Sequence, residues 1–135
     1  MFQMTPPERC RVLIADDDEI VQAQFAMLLQ RADYDVQVAS SGEEALRVLR
    51  AAQCQIVLTD WQMPGMNGLE LCRRIRDEHS ERYVYVMMLT AQEGEHDRVL
   101  SIAAGADDYV AKGLPVGEVL ARMDVARRII HSLIS

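Results

Sequence analysis

The sequence predicts an α/β domain: a doubly wound parallel sheet of five strands with helices on both faces. Three observations carry that prediction. Short apolar runs alternate with segments of helical spacing along the whole chain. The strongest runs are continuously apolar, as strands covered on both faces are, rather than polar at every second residue. All but the second end at a chemically distinctive polar residue. In such sheets ligands gather beyond the carboxyl ends of the strands.

The elements follow in order. Arg11 to Ala15 (RVLIA) is the first strand and stops at Asp16, Asp17 and Asp18. Ile20, Val21, Phe25, Leu28 and Leu29 recur at helical spacing. Asp35 to Ala39 is the second strand. Ser41 is placed to cap the next helix, with Glu44 completing a capping box. Ile56 to Thr59 is the third strand, ending at Asp60, before a turn-rich loop of Pro64, Gly65, Asn67 and Gly68. Leu69, Leu71, Cys72 and Ile75 mark the third helix. Tyr83 to Leu89 is the fourth strand, ending at Thr90. Asp97 to Ala104 is a weaker helix stopped by Gly105. Asp108 to Ala111 is the fifth strand, ending at Lys112, and helix follows from Val116. Right-handed crossovers complete the architecture.

Composition bounds the function. A length of 135 residues fits one domain. Half the residues are hydrophobic and 26% are charged, which excludes disordered, collagen-like and low-complexity classes. The net charge of −7 argues against gripping nucleic acid or an anionic membrane, since both call for a basic footprint. No segment approaches the ~20 apolar residues of a membrane span. MFQMTPPERCR lacks the apolar stretch of a secretion signal. Cys10, Cys54 and Cys72 have no metal-like spacing and read as reduced thiols of a cytoplasmic protein. His79, His96 and His131 are scattered, and Met63, Met66, Met87 and Met88 read as loop and core filling.

If the first strand is flanked by the second and third, Asp16, Asp17 and Asp60 meet at one rim. Clustered carboxylates repel unless a cation or proton intervenes. Hard oxygen ligands suit Mg²⁺, which takes few protein carboxylates together with phosphate oxygens. Asp60 can then serve as a nucleophile that forms an aspartyl phosphate. Lys112 can neutralise the transferred group, and Thr90 can donate a hydroxyl hydrogen bond to it.

VLIADDD, VLTDWQMPGMNGLEL, MMLTA and GADDYVAK together resemble the blocks of the receiver domain of two-component response regulators, from about Arg11 to Arg127. The resemblance implies the flavodoxin-like strand order 2-1-3-4-5. It implies Asp60 as acceptor of a phosphoryl group from a histidine kinase or phosphotransfer protein. It implies Mg²⁺ on Asp16, Asp17, Asp60 and the backbone carbonyl of Gln62, with Thr90 and Lys112 at the phosphoryl group. Tyr109 matches the family's aromatic switch residue. The family's proline after the lysine is Gly113 here. A non-proline cis bond costs about 3–4 kcal/mol, so a trans Lys112–Gly113 bond is expected, with Lys112 still directed at Asp60.

Plainer readings stand beside these. Asp18 reads as a helix cap, and capping alone can also produce an aspartate run. A strand tyrosine such as Tyr109 also packs without switching. Trp61 reads as a rim residue without chemistry. An alternative function is an aspartyl-phosphate phosphatase acting on an external substrate, but the acid/base aspartate this needs two residues beyond the nucleophile is Gln62. A flavin or dinucleotide module is the third reading, and no G-x-G-x-x-G follows the first strand.

Residues 1–10 read as a lead-in, 11–127 as the domain and 128–135 as a helix extension. Val119, Met123, Ala126, Ile130 and Leu133 have the spacing of a coiled-coil seam. Ile130 and Leu133 are expected to face water, marking a linker to an output domain or a homodimer contact. GEVLARMDVARRI weakly resembles receivers fused to diguanylate cyclases.

Overall fold

The computed structural model describes residues 9–78, 82–91 and 94–134. Residues 1–8 of the expected lead-in, and His79, lie outside them. The elements are β1 (Arg11–Ala15), α1 (Glu19–Arg31), β2 (Asp35–Ala39), α2 (Gly42–Ala52), β3 (Ile56–Asp60), α3 (Gly68–Glu78), β4 (Tyr85–Thr90), α4 (Glu95–Ala103), β5 (Asp108–Ala111) and α5 (Val116–Ile134). The strands form one sheet in the order β2-β1-β3-β4-β5, every neighbouring pair parallel.

Alternate side chains on each strand feed opposite cores. Leu13, Val57, Val86 and Met88 meet Leu46, Leu49, Leu71 and Ile75 of α2 and α3. Val12, Ile14, Ile56, Leu58, Met87 and Leu89 meet Phe25 and Leu29 of α1 and Val119, Met123, Ala126 and Ile130 of α5. Cys54 and Cys72 are buried, and burial pushes each thiol up to about 11. They are small apolar packing groups.

Local chemistry sets the ends. Asp18 caps α1 by accepting from Ile20 N at 2.9 Å. Ser41 Oγ accepts from Glu44 N at 3.1 Å. Glu44 reaches past the cap and takes Ser40 N at 2.7 Å, so the capping box is displaced by one residue. Gly105 ends α4 with φ +106°, a conformation glycine adopts without strain.

Two expectations need correction. β4 begins at Tyr85, not Tyr83. The Val84 carbonyl accepts from Arg76 Nη1 at 2.6 Å, and Arg76 lies over the Tyr83 ring at 4.7 Å. Arg76 also donates to Gly105 O at 2.7 Å and to Asp107 Oδ2 at 2.8 Å, so one guanidinium joins α3, the start of β4 and the α4–β5 turn. Secondly, Ile130 is not solvent-facing: it is 5% exposed and belongs to the core. Val116 to Ile130 rises about 21 Å as helix, longer than a five-residue strand of about 17 Å, but Cys10 and Tyr34 extend the apolar floor beyond the strand starts. Leu133 is exposed as expected. The exposed apolar stripe on α5 is Val125, Ile129 and Leu133. Among the described residues no helix is long and apolar enough to cross a membrane.

Candidate functional site

Parallel register brings the polar strand ends to one rim. Ala15 pairs with both Ala39 and Thr59, which sets Asp16 beside Asp60. Thr90 pairs with Ala111, which brings Lys112 to the same edge. Lys112 N donates to Thr90 O at 2.8 Å. The rim opens on a cleft of about 740 Å³ whose walls include Asp16, Asp17, Asp60, Gln62, Thr90 and Lys112.

Asp16 is fully buried, and its Oδ1 accepts from Asp18 N at 2.9 Å. Its Oδ2 has Lys112 Nζ at 3.0 Å as an ion pair, but no partner in hydrogen-bond geometry. Asp17 is exposed. Asp60 is 8% exposed, with Lys112 Nζ at 3.3 Å and Gln62 N donating to Oδ1 at 3.4 Å. Burial first, and then the Asp16 charge, hold the Asp60 pKa above its usual value despite Lys112. Burial opposes the Lys112 charge, yet Asp16 and Asp60 outweigh it and raise the ammonium's pKa.

The end of β3 is tightly backed. A Cβ on Gly68 would sit 2.3 Å from the Asp60 carbonyl oxygen. Glycine there lets the first turn of α3 press against the Asp60 backbone, and Gly68 N donates to Trp61 O at 2.9 Å.

One carboxylate oxygen from each of Asp16, Asp17 and Asp60 lies within 4.8 Å of the others. With a buried Asp16 oxygen that accepts no hydrogen bond, this donor set fits a hard divalent cation such as Mg²⁺.

Tyr109 does not line the cleft. It is half-buried and meets Trp61 edge to face, with centroids 6.5 Å apart. The peptide after Lys112 is trans, and no described peptide is cis. Nothing lies within 4 Å of a Cβ built on Gly113. His96 and His131 are exposed and do not line the cleft.

Two residues at the site escaped the sequence reading. Asp97, in the first turn of α4, adds a carboxylate to the cleft wall. Gln22 is buried with Phe25 and Leu29 on the core-facing side of α1. Its signal was an amide at an apolar position of the helical pattern.

A model of the response regulator receiver domain matches residues 12–124. The alkaline phosphatase synthesis transcriptional regulatory protein PhoP of Bacillus subtilis is 35% identical over 118 residues, 87% of this chain and 48% of that protein. The DNA-binding response regulator MtrA of Mycolicibacterium smegmatis is 36% identical over 85% of this chain and 49% of that protein. The chain thus spans about half the length of these relatives. Among solved structures, the beryllofluoride-activated N-terminal receiver domain of Klebsiella pneumoniae RstA is 30% identical at a TM-score of 0.80, covering 86% of this chain and 97% of that one. Vibrio cholerae chemotaxis protein CheY4 is 25% identical at a TM-score of 0.82, covering 87% and 98%.

Proposed function

The chain belongs to the response regulator receiver domain family, and from that premise we propose that it is a phosphorylation-controlled switch with Asp60 as its acceptor. The observation that carries the reading is Lys112 Nζ between Asp60 and Asp16, at 3.3 Å and 3.0 Å, on a rim with Asp17 and Thr90. A carboxylate oxygen of Asp60 attacks the phosphorus of a phosphohistidine on a partner kinase or phosphotransfer protein. The new P–O bond forms as the P–N bond breaks, and its electron pair returns to the imidazole. Asp16, Asp17, Asp60 and the Gln62 carbonyl would hold Mg²⁺, which when bound neutralises charge on the phosphoryl oxygens. Lys112 pairs with the transferred group, and the Thr90 hydroxyl donates to it.

The added charge of roughly −1.5 to −2 biases a two-state surface of α4, β5 and α5 through Thr90 and Tyr109. That surface exposes Val99 and Ile102 on α4 and Val125 and Ile129 on α5, and it engages a partner or a second copy of the chain. The domain works in the cytoplasm and turns over no external substrate beyond its own phosphorylation and slow dephosphorylation. Gln62 in place of an acid/base aspartate counts against the phosphatase alternative. An output domain joined after α5 fits the half-length coverage. The names of the relatives favour a DNA-binding output, and none supports the diguanylate cyclase expected from the last helix.

The test is phosphorylation with acetyl phosphate and Mg²⁺, read by mass spectrometry of the intact chain and its peptides. Wild type should gain one phosphate on Asp60, and Asp60→Asn none. Phosphate on another residue would falsify the assignment.

A further inference from the structure

We propose that Gln22 is a positioning residue for the acidic rim: its side-chain amide fixes the peptide that carries Asp16 and Asp17 into cation-binding geometry. The inference rests on the Mg²⁺ reading given above and deepens it.

Gln22 is 9% exposed, and Nε2 faces three acceptors: Asp16 O, Ala39 O at 3.2 Å and Ser40 Oγ at 3.1 Å. Asp16 O is the nearest of them. An amide nitrogen carries two hydrogens, so the three acceptors share them. Ala39 O also accepts from Asp16 N at 3.0 Å. Asp16 is therefore tied to the end of β2 through both of its backbone polar groups, directly at the nitrogen and through Gln22 at the oxygen. A peptide is planar, so pinning its oxygen sets the plane on which the Asp17 Cα sits. Asp18 N, bonded to Asp16 Oδ1, closes the loop from the other side.

These constraints oppose a specific force. Carboxylates within 4.8 Å of one another repel, and a loop free to relax would spread them in the absence of the cation. Gln22 holds the loop in place beforehand, so less ordering remains to be done when the ion arrives. Residues that orient metal ligands typically account for 10–100-fold in affinity.

The experiment measures the Mg²⁺ dissociation constant of the full chain from the emission of Trp61, the single tryptophan, which lines the cleft. Melting temperature against Mg²⁺ concentration gives an independent value. Gln22→Met keeps the volume and loses the donor, and should weaken Mg²⁺ about tenfold or more. Phe25→Leu, on the same buried helix face, should lower the melting temperature and leave the dissociation constant unchanged. An unchanged constant in Gln22→Met, or an equal loss in Phe25→Leu, overturns the proposal. Should Gln22→Met fail to fold, Gln22→Asn, with the amide on a shorter arm, must show the weakened binding instead. Wild type without saturable Mg²⁺ binding overturns the metal reading as well, whereas wild-type binding with unchanged variants overturns this inference alone.

Discussion

Trp61 and Tyr109 meet edge to face with their ring planes at 88°. Trp61 follows Asp60 directly, and Tyr109 stands on β5. The contact joins the loop after Asp60 to β5, the strand within the proposed output surface. Edge-to-face pairs are worth about 0.5–1.5 kcal/mol beyond area burial. A double-mutant cycle of Trp61→Leu and Tyr109→Leu, read by urea denaturation, should return a coupling in that range. Additive effects of the two changes would remove the contact from any account of signalling.

Asp60 should make the metal-free fold pH-sensitive. Its folded pKa is raised, chiefly by burial and then by Asp16. A raised carboxyl pKa gives stability that is present below the unfolded value of 3.8 and lost as pH rises through the folded value. At neutral pH in chelator, Asp60→Asn should therefore melt higher than wild type, with the gain fading in acid. Asp17→Asn should shift the same way by less, since Asp17 is exposed. Millimolar Mg²⁺ should raise the wild-type melting temperature and leave both variants nearly unmoved. The reverse order in chelator refutes the repulsion account.

Arg76 tests the clasp between α3 and the α4–β5 turn. Hydrogen bonds from charged groups are worth about 1.5–3 kcal/mol each, without simple additivity. Arg76→Met should cost about 2–4 kcal/mol in chemical denaturation. Gly105→Ala should cost more than about 1 kcal/mol, because φ is +106° and the new methyl would meet Arg76 Cγ at 2.9 Å. A neutral result for Arg76→Met would mean that β4 starts where it does for another reason.

The end of α5 separates core from surface within one turn. Ile130→Ala should cost about 2–4 kcal/mol by the buried large-to-small rule. Leu133→Ala should stay within about 0.5 kcal/mol, unless activation buries it. Light scattering of residues 1–131 against 1–135, with and without beryllofluoride, distinguishes a role for Leu133 in self-association from simple exposure.

Much of this was legible beforehand for a physical reason. Continuous apolar runs ending in Asp60, Thr90 and Lys112 encode both the sheet and its polar rim, because parallel strands deliver their ends to one side. What escaped depends on partners distant in sequence. The Val84 carbonyl is claimed by Arg76 from α3, which no local pattern in the fourth run reveals. Ile130 joins a core that also takes in Cys10 and Tyr34, more than ninety residues earlier in the chain. Gln22 was passed over because a lone glutamine within an apolar spacing carries no sign of the carbonyls it will meet.

The strand order also has a consequence in time. β1 is flanked by β2 and β3, so the first of the five strands to be synthesised keeps an open edge until the third has been made. Forty-five residues separate Ala15 from Asp60. At typical elongation rates of 5–20 residues per second they take about 2–9 s to make. For that interval the nascent chain carries RVLIA with one side still awaiting β3, and Asp16 is kept from its future neighbour Asp60 until translation has passed the second helix.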